Sequence, residues 1–192
     1  MQIEPTSLPE VQVLTPRRFG DGRGFFEEVY NRETLSSHGI TTNFVQDNQS
    51  YSAETGTVRG LHFQAPPRAQ AKLVRVVQGA ILDVAVDIRR GSPRHGAWVA
   101  HELSAQNGRQ MLVPAGFLHG FVTLMPDTIV IYKCSDTYAP ASEGAVRFDD
   151  PDLAIDWRLG AVTPLLSDKD AKAPAFAALD SPFQWGEDAG QP

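Results

Sequence analysis

The sequence predicts an all-β fold: short strands closed into a sandwich or barrel, with a few short helices at the periphery. Gly 16 and Pro 14 punctuate the chain between short runs rich in Val, Ile, Phe, Tyr and Thr. Helical periodicity is scarce and confined to two short stretches. A length of 192 residues corresponds to one domain of roughly 100–200 residues. Hydrophobic residues are 42% of the chain and charged residues 21%, enough apolar material for a packed core.

In chain order, the strand candidates are Val11–Leu14, Phe25–Tyr30, Asn43–Gln49, Thr57–Phe63 and Ala71–Val77. They continue with Ala80–Asp87, Trp98–Leu103, Met111–Val113, His119–Thr123 and Ile129–Ser135. Asn31–Ser37, closed by Gly39, reads as a short helix. A second helix opens at Ser167-Asp168-Lys169-Asp170, a capping-box-like start with Asp170 at the third helical position. There are no repeats, linkers or low-complexity tracts, so residues 1–192 are expected as one domain. Its core is expected over 19–170, and Pro182–Pro192 as a surface tail. Short strands leave unpaired edges unless a sheet closes or pairs with a second chain. A small closed barrel holds one ligand. The expectation is a ligand-holding barrel, dimeric through an edge strand.

Charge narrows the function. Lys plus Arg is 17 and Asp plus Glu is 23, a formal net charge of −6. Nucleic acid and anionic membrane surfaces both reward a basic face, so neither is expected as a partner. The single cysteine, Cys134, excludes an intrachain disulfide and fits a reducing compartment. Met1-Gln2-Ile3-Glu4-Pro5 lacks the basic, then apolar, pattern of a secretory signal. The apolar stretch Ala80–Ile88 is broken by Asp83 and Asp87, and nothing approaches the ~20 apolar residues of a membrane span. A cytoplasmic location is expected.

Two segments carry the chemistry. One is Gly56-Thr57-Val58-Arg59-Gly60-Leu61-His62-Phe63-Gln64, running on to Lys72 and Gly79; the other is Gly108, then Pro114-Ala115-Gly116-Phe117-Leu118-His119. The second, G-x5-P-x-G-x2-H, resembles one signature of the cupin superfamily. The first resembles the other signature in damaged form. Gln64 stands at its second His and Lys72 at its Glu, with a longer gap between them. Only His62 and His119 survive of three His and one carboxylate. Gln is a poor transition-metal ligand, and a Lys ammonium has no lone pair to give. No metal and no cofactor are therefore expected.

Further text narrows the resemblance. Phe19-Gly20-Asp21-Gly22-Arg23-Gly24-Phe25-Phe26-Glu27-Glu28 precedes Phe44-Val45-Gln46-Asp47-Asn48-Gln49-Ser50. Gln70-Ala71-Lys72-Leu73-Val74, Tyr132-Lys133-Cys134-Ser135, Tyr138 and Leu166-Ser167-Asp168-Lys169-Asp170 follow. Over roughly Phe19 to Asp170 this ordered set resembles the dTDP-4-dehydrorhamnose 3,5-epimerase family. The resemblance implies a cupin-type jelly roll and a dTDP-linked 4-keto-6-deoxy sugar as ligand. It implies proton abstraction and return at C3 and C5, both acidified by the C4 ketone, with no redox cofactor.

Roles follow by the same resemblance. His62 is the base, its ordinary pKa of ~6.5 suiting proton transfer near neutrality. Asp170 pairs with it, with Asp168 as substitute. Tyr132 is the acid on the opposite face, and it shares a strand face with Val130 and Cys134. Lys72 faces the enolate oxygen, and His119 binds the sugar or that same oxygen. Arg23, Arg59 and Lys169 are placed on the diphosphate, Arg23 reaching over from a partner subunit. Gln46, Asp47 and Asn48 are assigned to the sugar or base, and Phe25, Glu28, Tyr138 and Glu143 complete the substrate contacts. Each residue has a plainer alternative: a core histidine, a sheet aromatic, a strand lysine, a helix cap or an exposed turn charge.

On an ideal strand Arg59 and His62 point to opposite faces. Both reach one ligand only if the chain is irregular between them, and Gly60 is the expected place. Three other functions remain open: an epimerase acting at C3 or C5 alone, a non-catalytic sugar-nucleotide binder, and a metal-dependent cupin oxygenase, which Gln64 and Lys72 oppose.

Overall fold

A computed structural model describes residues 1–186. Thirteen strands dominate it: β1 (Gln2–Pro5), β2 (Gln12–Thr15), β3 (Arg18–Asp21), β4 (Gly24–Glu27), β5 (Gln46–Ser52), β6 (Val58–Gln64) and β7 (Lys72–Gln78). The rest are β8 (Ala80–Asp87), β9 (Trp98–Ser104), β10 (Gln110–Val113), β11 (Phe117–Thr123), β12 (Thr128–Cys134) and β13 (Glu143–Ala145). The α-helices are α1 (Arg32–Ser37) and α2 (Asp168–Ala171).

Six strands form one sheet in the order β1-β2-β10-β7-β12-β5, and five form a second in the order β13-β6-β11-β8-β9. The pairings within both are antiparallel. Such a two-sheet antiparallel sandwich is the jelly roll that the cupin resemblance implies. Between the sheets, Val74, Val76, Met111, Val113 and Val130 of the first meet Ile81, Ala85, Val99, Phe117 and Phe121 of the second. Residues of β8 alternate strictly: Ile81, Asp83 and Ala85 face inward, while Leu82, Val84 and Val86 face the other way. Every residue of β8 is buried, because the chain after β13 covers the outer face with Val146, Phe148, Leu153 and Trp157. Leu35 and Ile40, from α1 and the turn after it, cover the outer face of the six-stranded sheet over Leu14, Leu73 and Leu112.

Local signals explain the helices. Asn31 caps α1 by accepting hydrogen bonds from Glu33 N and Thr34 N, and Gly39 takes the left-handed turn after it at φ 85°. Ser167 caps α2 by accepting from Asp170 N.

Three strands have no counterpart in the sequence reading: β1, β3 and β13. They are short and polar or glycine-bearing, and none of their residues is buried, so they carry little alternation to detect. The tail expectation needs correction. Phe183 is 1% exposed and packs edge-on against Phe63, because its ring completes the apolar cover of the five-stranded sheet. Residues 187–192 of that stretch lie outside the described residues.

The expected irregularity is present. Along the β6–β11 ladder, His119 pairs with His62 but Phe121 pairs with Arg59, a one-residue slip. Gly60 sits in the slip at φ 126°, and a Cβ there would lie 2.5 Å from Gly120 Cα. The close backbone approach admits no side chain at this position. Arg59 and His62 consequently both line the interior cavity, while Val58 and Leu61 both join the outer core.

Candidate active site

The inter-sheet interior widens at one end into a chamber of about 530 Å³. Its walls include Arg59, His62, Lys72, His119, Tyr132 and Asp170. A second chamber of about 350 Å³ shares His62, Lys72 and Tyr132 with the first and adds Gln46, Asn48, Gln64, Tyr138 and Glu143. The shared residues therefore form the throat between two lobes. His62 stands on the five-stranded sheet, whereas Lys72 and Tyr132 stand on the six-stranded sheet.

Asp170 lies beside His62, its Oδ1 2.6 Å from Nε2. In a capping box the third residue's carboxylate turns back to the cap's own N–H. Here it reaches His62 and the Gly60 amide instead, while Ser167 still caps the Asp170 N–H. Burial opposes ionisation of Asp170, but hydrogen bonds from His62, Ser167 and Gly60 hold its carboxyl below the usual carboxylate range. An ionised carboxylate only accepts, so Nε2 carries a proton and donates it to Asp170, leaving Nδ1 as the ring nitrogen turned to the substrate role. Asp168 is exposed at the first position of α2 and takes no part in this pair.

Burial pushes the Lys72 ammonium below its ordinary value, against the opposing charges of Asp83 and Glu143. Burial likewise raises the Tyr132 phenol, which keeps it protonated as a donor well above neutrality. His119 is buried, and its Nε2 lies 2.8 Å from Asp83 Oδ1. Burial lowers its pKa despite the Asp83 charge.

At the rim, Lys169 Nζ contacts Glu143 Oε1 at 2.5 Å, and Tyr138 Oη donates to Glu143 Oε2 at 3.0 Å. Gln46 Nε2 donates to Asn48 Oδ1 at 3.0 Å. Arg59 is exposed at the mouth and donates to the Tyr51 carbonyl at 3.0 Å.

Four sequence-assigned residues are not in the cavity of this chain. Asp47 points out of the sheet, between Gln46 and Asn48 in sequence, and pairs with Lys133 at 2.9 Å. Strand alternation is the reason. Arg23 and Phe25 ride on the β3–β4 hairpin, where Arg23 pairs with Asp21 and Phe25 is 59% exposed. Glu28 is exposed beside α1 and accepts from Asn31 Nδ2. The hairpin is a two-stranded sheet of its own, outside both main sheets.

Sequence reasoning missed Asp83 as a site residue. Its one signal is an acidic residue amid the apolar run of β8.

The residues do not fit the metal site of other cupins. Gln64 is spent on the backbone: its amide donates to the Arg68 carbonyl at 2.5 Å and accepts from Ala139 N at 2.9 Å. Nε2 of each surviving histidine is committed to a carboxylate, and a cation occupies the carboxylate position. Among the described residues no group of three or more His, Cys, Asp or Glu is placed to hold a metal ion.

A jelly roll with a His–Asp pair on one wall and a Lys and a Tyr on the other belongs to the class of cupin-fold acid–base catalysts. The dTDP-4-dehydrorhamnose 3,5-epimerase model matches residues 5–178. A Pseudomonas aeruginosa protein named dTDP-4-dehydrorhamnose 3,5-epimerase is 49% identical over 94% of this chain and 98% of its own length. The Bacillus anthracis enzyme of that name, solved with TDP and PPi bound, is 51% identical with a TM-score of 0.87. That match covers 91% of this chain and 98% of the other. The Legionella pneumophila epimerase, solved in complex with dTDP-4-keto-L-rhamnose, is 46% identical with a TM-score of 0.89. It covers 93% of this chain and 94% of its own. The chain belongs to the dTDP-4-dehydrorhamnose 3,5-epimerase family.

Proposed function

We propose that this chain converts dTDP-4-dehydro-6-deoxy-D-glucose to dTDP-4-dehydro-L-rhamnose by inverting C3 and C5 next to the C4 ketone. The observation that carries this is the placement of His62 and Tyr132 on opposing sheets around one throat. Inversion needs a base on one face of the sugar and an acid on the other, and a wall on each side supplies both.

His62 removes the proton from C3 or C5 through Nδ1, and the Asp170 carboxylate steadies the imidazolium that results. The bond electrons move to the C4 oxygen. Lys72 meets the developing oxyanion, a contribution on the order of 3–4 kcal/mol for one well-placed donor. Tyr132 then returns a proton from the other side, collapsing the enolate to the inverted ketone. The resulting phenolate regains its proton, and His62 loses one, before the second carbon reacts. His119 hydrogen-bonds the sugar. Arg59 and Lys169 at the mouth hold the diphosphate, and Gln46, Asn48, Tyr138 and Glu143 receive the rest of the ligand.

The functional unit in this reading is a homodimer. The β3–β4 hairpin exposes Phe19, Phe25 and Phe26 at 52%, 59% and 70%, next to Arg23. Such a patch fits burial against a second copy, where Arg23, Phe25 and Glu28 would complete the partner's site. Among the described residues no helix is long and apolar enough to cross a membrane. The buried free thiol of Cys134 suits the reducing cytoplasm.

The test is incubation with dTDP-4-keto-6-deoxyglucose in heavy water, followed by NMR. Deuterium entering both C3 and C5 supports double inversion. Label at one carbon means a single-site epimerase, and no label means a binder. His62→Ala, with the fold retained, should abolish entry at both carbons.

A further inference from the structure

Strand β8 buries two aspartates on the same face, each 0% exposed, in very different surroundings. Asp87 is fully satisfied. Its Oδ1 accepts from Arg89 N and Nε, and its Oδ2 accepts from Arg89 Nη2 at 2.6 Å and Ser92 Oγ at 2.7 Å. A guanidinium beside it balances the charge, as expected of a structural buried carboxylate. Among the described residues Asp83 has a single side-chain hydrogen bond, to His119, and its Oδ2 has no partner. Burying a carboxylate without a matched cation and with an orphan oxygen is costly, and natural sequences tolerate it where the charge is used.

The surroundings say what it acts on. Asp83 faces His119 of β11 and, across the β8–β9 ladder, His101. Lys72 of β7 lines the same chamber as His119, the partner of Asp83, and the Asp83 charge opposes the burial that disfavours the ammonium. Lys72 makes no ion pair among the described residues. The titratable groups that face it are Cys134 from β12, Asp83 from β8, Glu143 from β13 and His119 from β11. Cys134 is buried with a raised pKa, so it is a neutral thiol near neutrality. Glu143 is already paired with Lys169. Asp83 is thus the anion left for the ammonium at the throat. His101 in turn is faced by Arg109 and Glu4, and burial keeps it on the neutral side of its ordinary value.

We infer that Asp83 is a positioning residue: through His119 it fixes the proton on His119 Nε2, and through its charge it keeps Lys72 an ammonium able to receive the enolate oxygen. This rests on the reading of Lys72 as the oxyanion partner. A buried lysine beside a neutral imidazole sheds its proton readily, because burial disfavours the charged form. Asp83 offsets that without itself contacting the sugar. The arrangement mirrors His62–Asp170 on the neighbouring strand, but with the opposite outcome. Asp170 serves a base that must take a proton, whereas Asp83 serves a pair that must keep one.

The test is the pH profile of deuterium entry for the full chain and for Asp83→Asn and Asp83→Glu. Enolate stabilisation by Lys72 is present below its folded pKa and lost as pH rises through it. Removing the Asp83 charge lowers that pKa, so Asp83→Asn should move the alkaline limb to lower pH by about one unit. Its kcat should fall by about tenfold or more, with KM changed far less. Asp83→Glu, which keeps the charge, should return the limb towards its original position even if kcat stays reduced. An alkaline limb unmoved in Asp83→Asn, or a loss confined to thermal stability, overturns the inference. If Asp83→Asn does not fold, ¹⁵N spectra of the unmutated protein decide. A neutral His119 protonated on Nε2 is expected, and a cationic or Nδ1-protonated ring refutes it. Failure of the epimerase reading looks different, since the unmutated chain would then show no deuterium entry at any pH.

Discussion

Asp170 sets a carboxylate oxygen 2.6 Å from Nε2 of His62 across 108 residues of sequence. The contact joins α2 to the middle of β6, so the last helix of the chain completes a site built mostly from strands.

Asp170→Asn should lower the rate of deuterium entry at both carbons by about 10²-fold or more, because the imidazolium loses its counter-charge. It should also change acid stability. Asp170 is held below its ordinary value in the folded state. Its stabilising contribution is therefore complete above the unfolded value of ~3.9 and lost as pH falls from there towards the folded value. Thermal melts between pH 7 and pH 3 should show the unmutated protein losing more stability with acid than the variant does. Parallel curves would remove Asp170 from that balance.

Tyr132→Phe keeps the ring that packs against the inner core and deletes only the phenol. Proton loss should survive better than proton return. Deuterium washout from substrate should then outpace product formation, the two rates separating by about tenfold or more. Equal losses in both would show that Tyr132 is not the donor.

Gly60→Ala tests the slip in β6. The added methyl would meet Gly120 Cα at 2.5 Å and the His119 carbonyl oxygen at 2.8 Å, both backbone atoms that cannot step aside. A φ of 126° adds conformational cost for any L side chain. A loss of about 3 kcal/mol or more in urea unfolding is expected. Any folded fraction should have lost most of its activity, since Arg59 and His62 depend on that slip to share a cavity. A stable, active variant would show that the ladder can shift register freely.

Lys169 bridges Glu143 at the rim while remaining 54% exposed. Lys169→Ala should weaken dTDP binding by about tenfold, measured by calorimetry, and flatten the dependence of affinity on salt. Unchanged affinity at low salt would mean that Lys169 only braces Glu143.

Legibility in the sequence followed physical locality. Asn31 and Ser167 announced both helices, because a cap acts within three residues of itself. The main strands of both sheets were visible in their apolar pattern, with ends off by one to a few residues. The Arg59–His62 slip was legible too, since only an irregular strand puts residues three apart on one side. Asp47 shows the same alternation at work. A neighbour match assigns it with Gln46 and Asn48, yet strand alternation turns it to the opposite face.

What no local pattern held was the meeting of distant strands. Residue types and spacing along the chain were enough to indicate an all-β sandwich, a damaged metal motif and a set of proton-handling side chains. Only the packing of two sheets decided that His62 and Tyr132 confront each other, that Arg23 and Phe25 lie outside the cavity, and that Asp83 stands behind His119. Strand pairing joins residues far apart in sequence, and a buried carboxylate shows its purpose only once its neighbours from other strands are known.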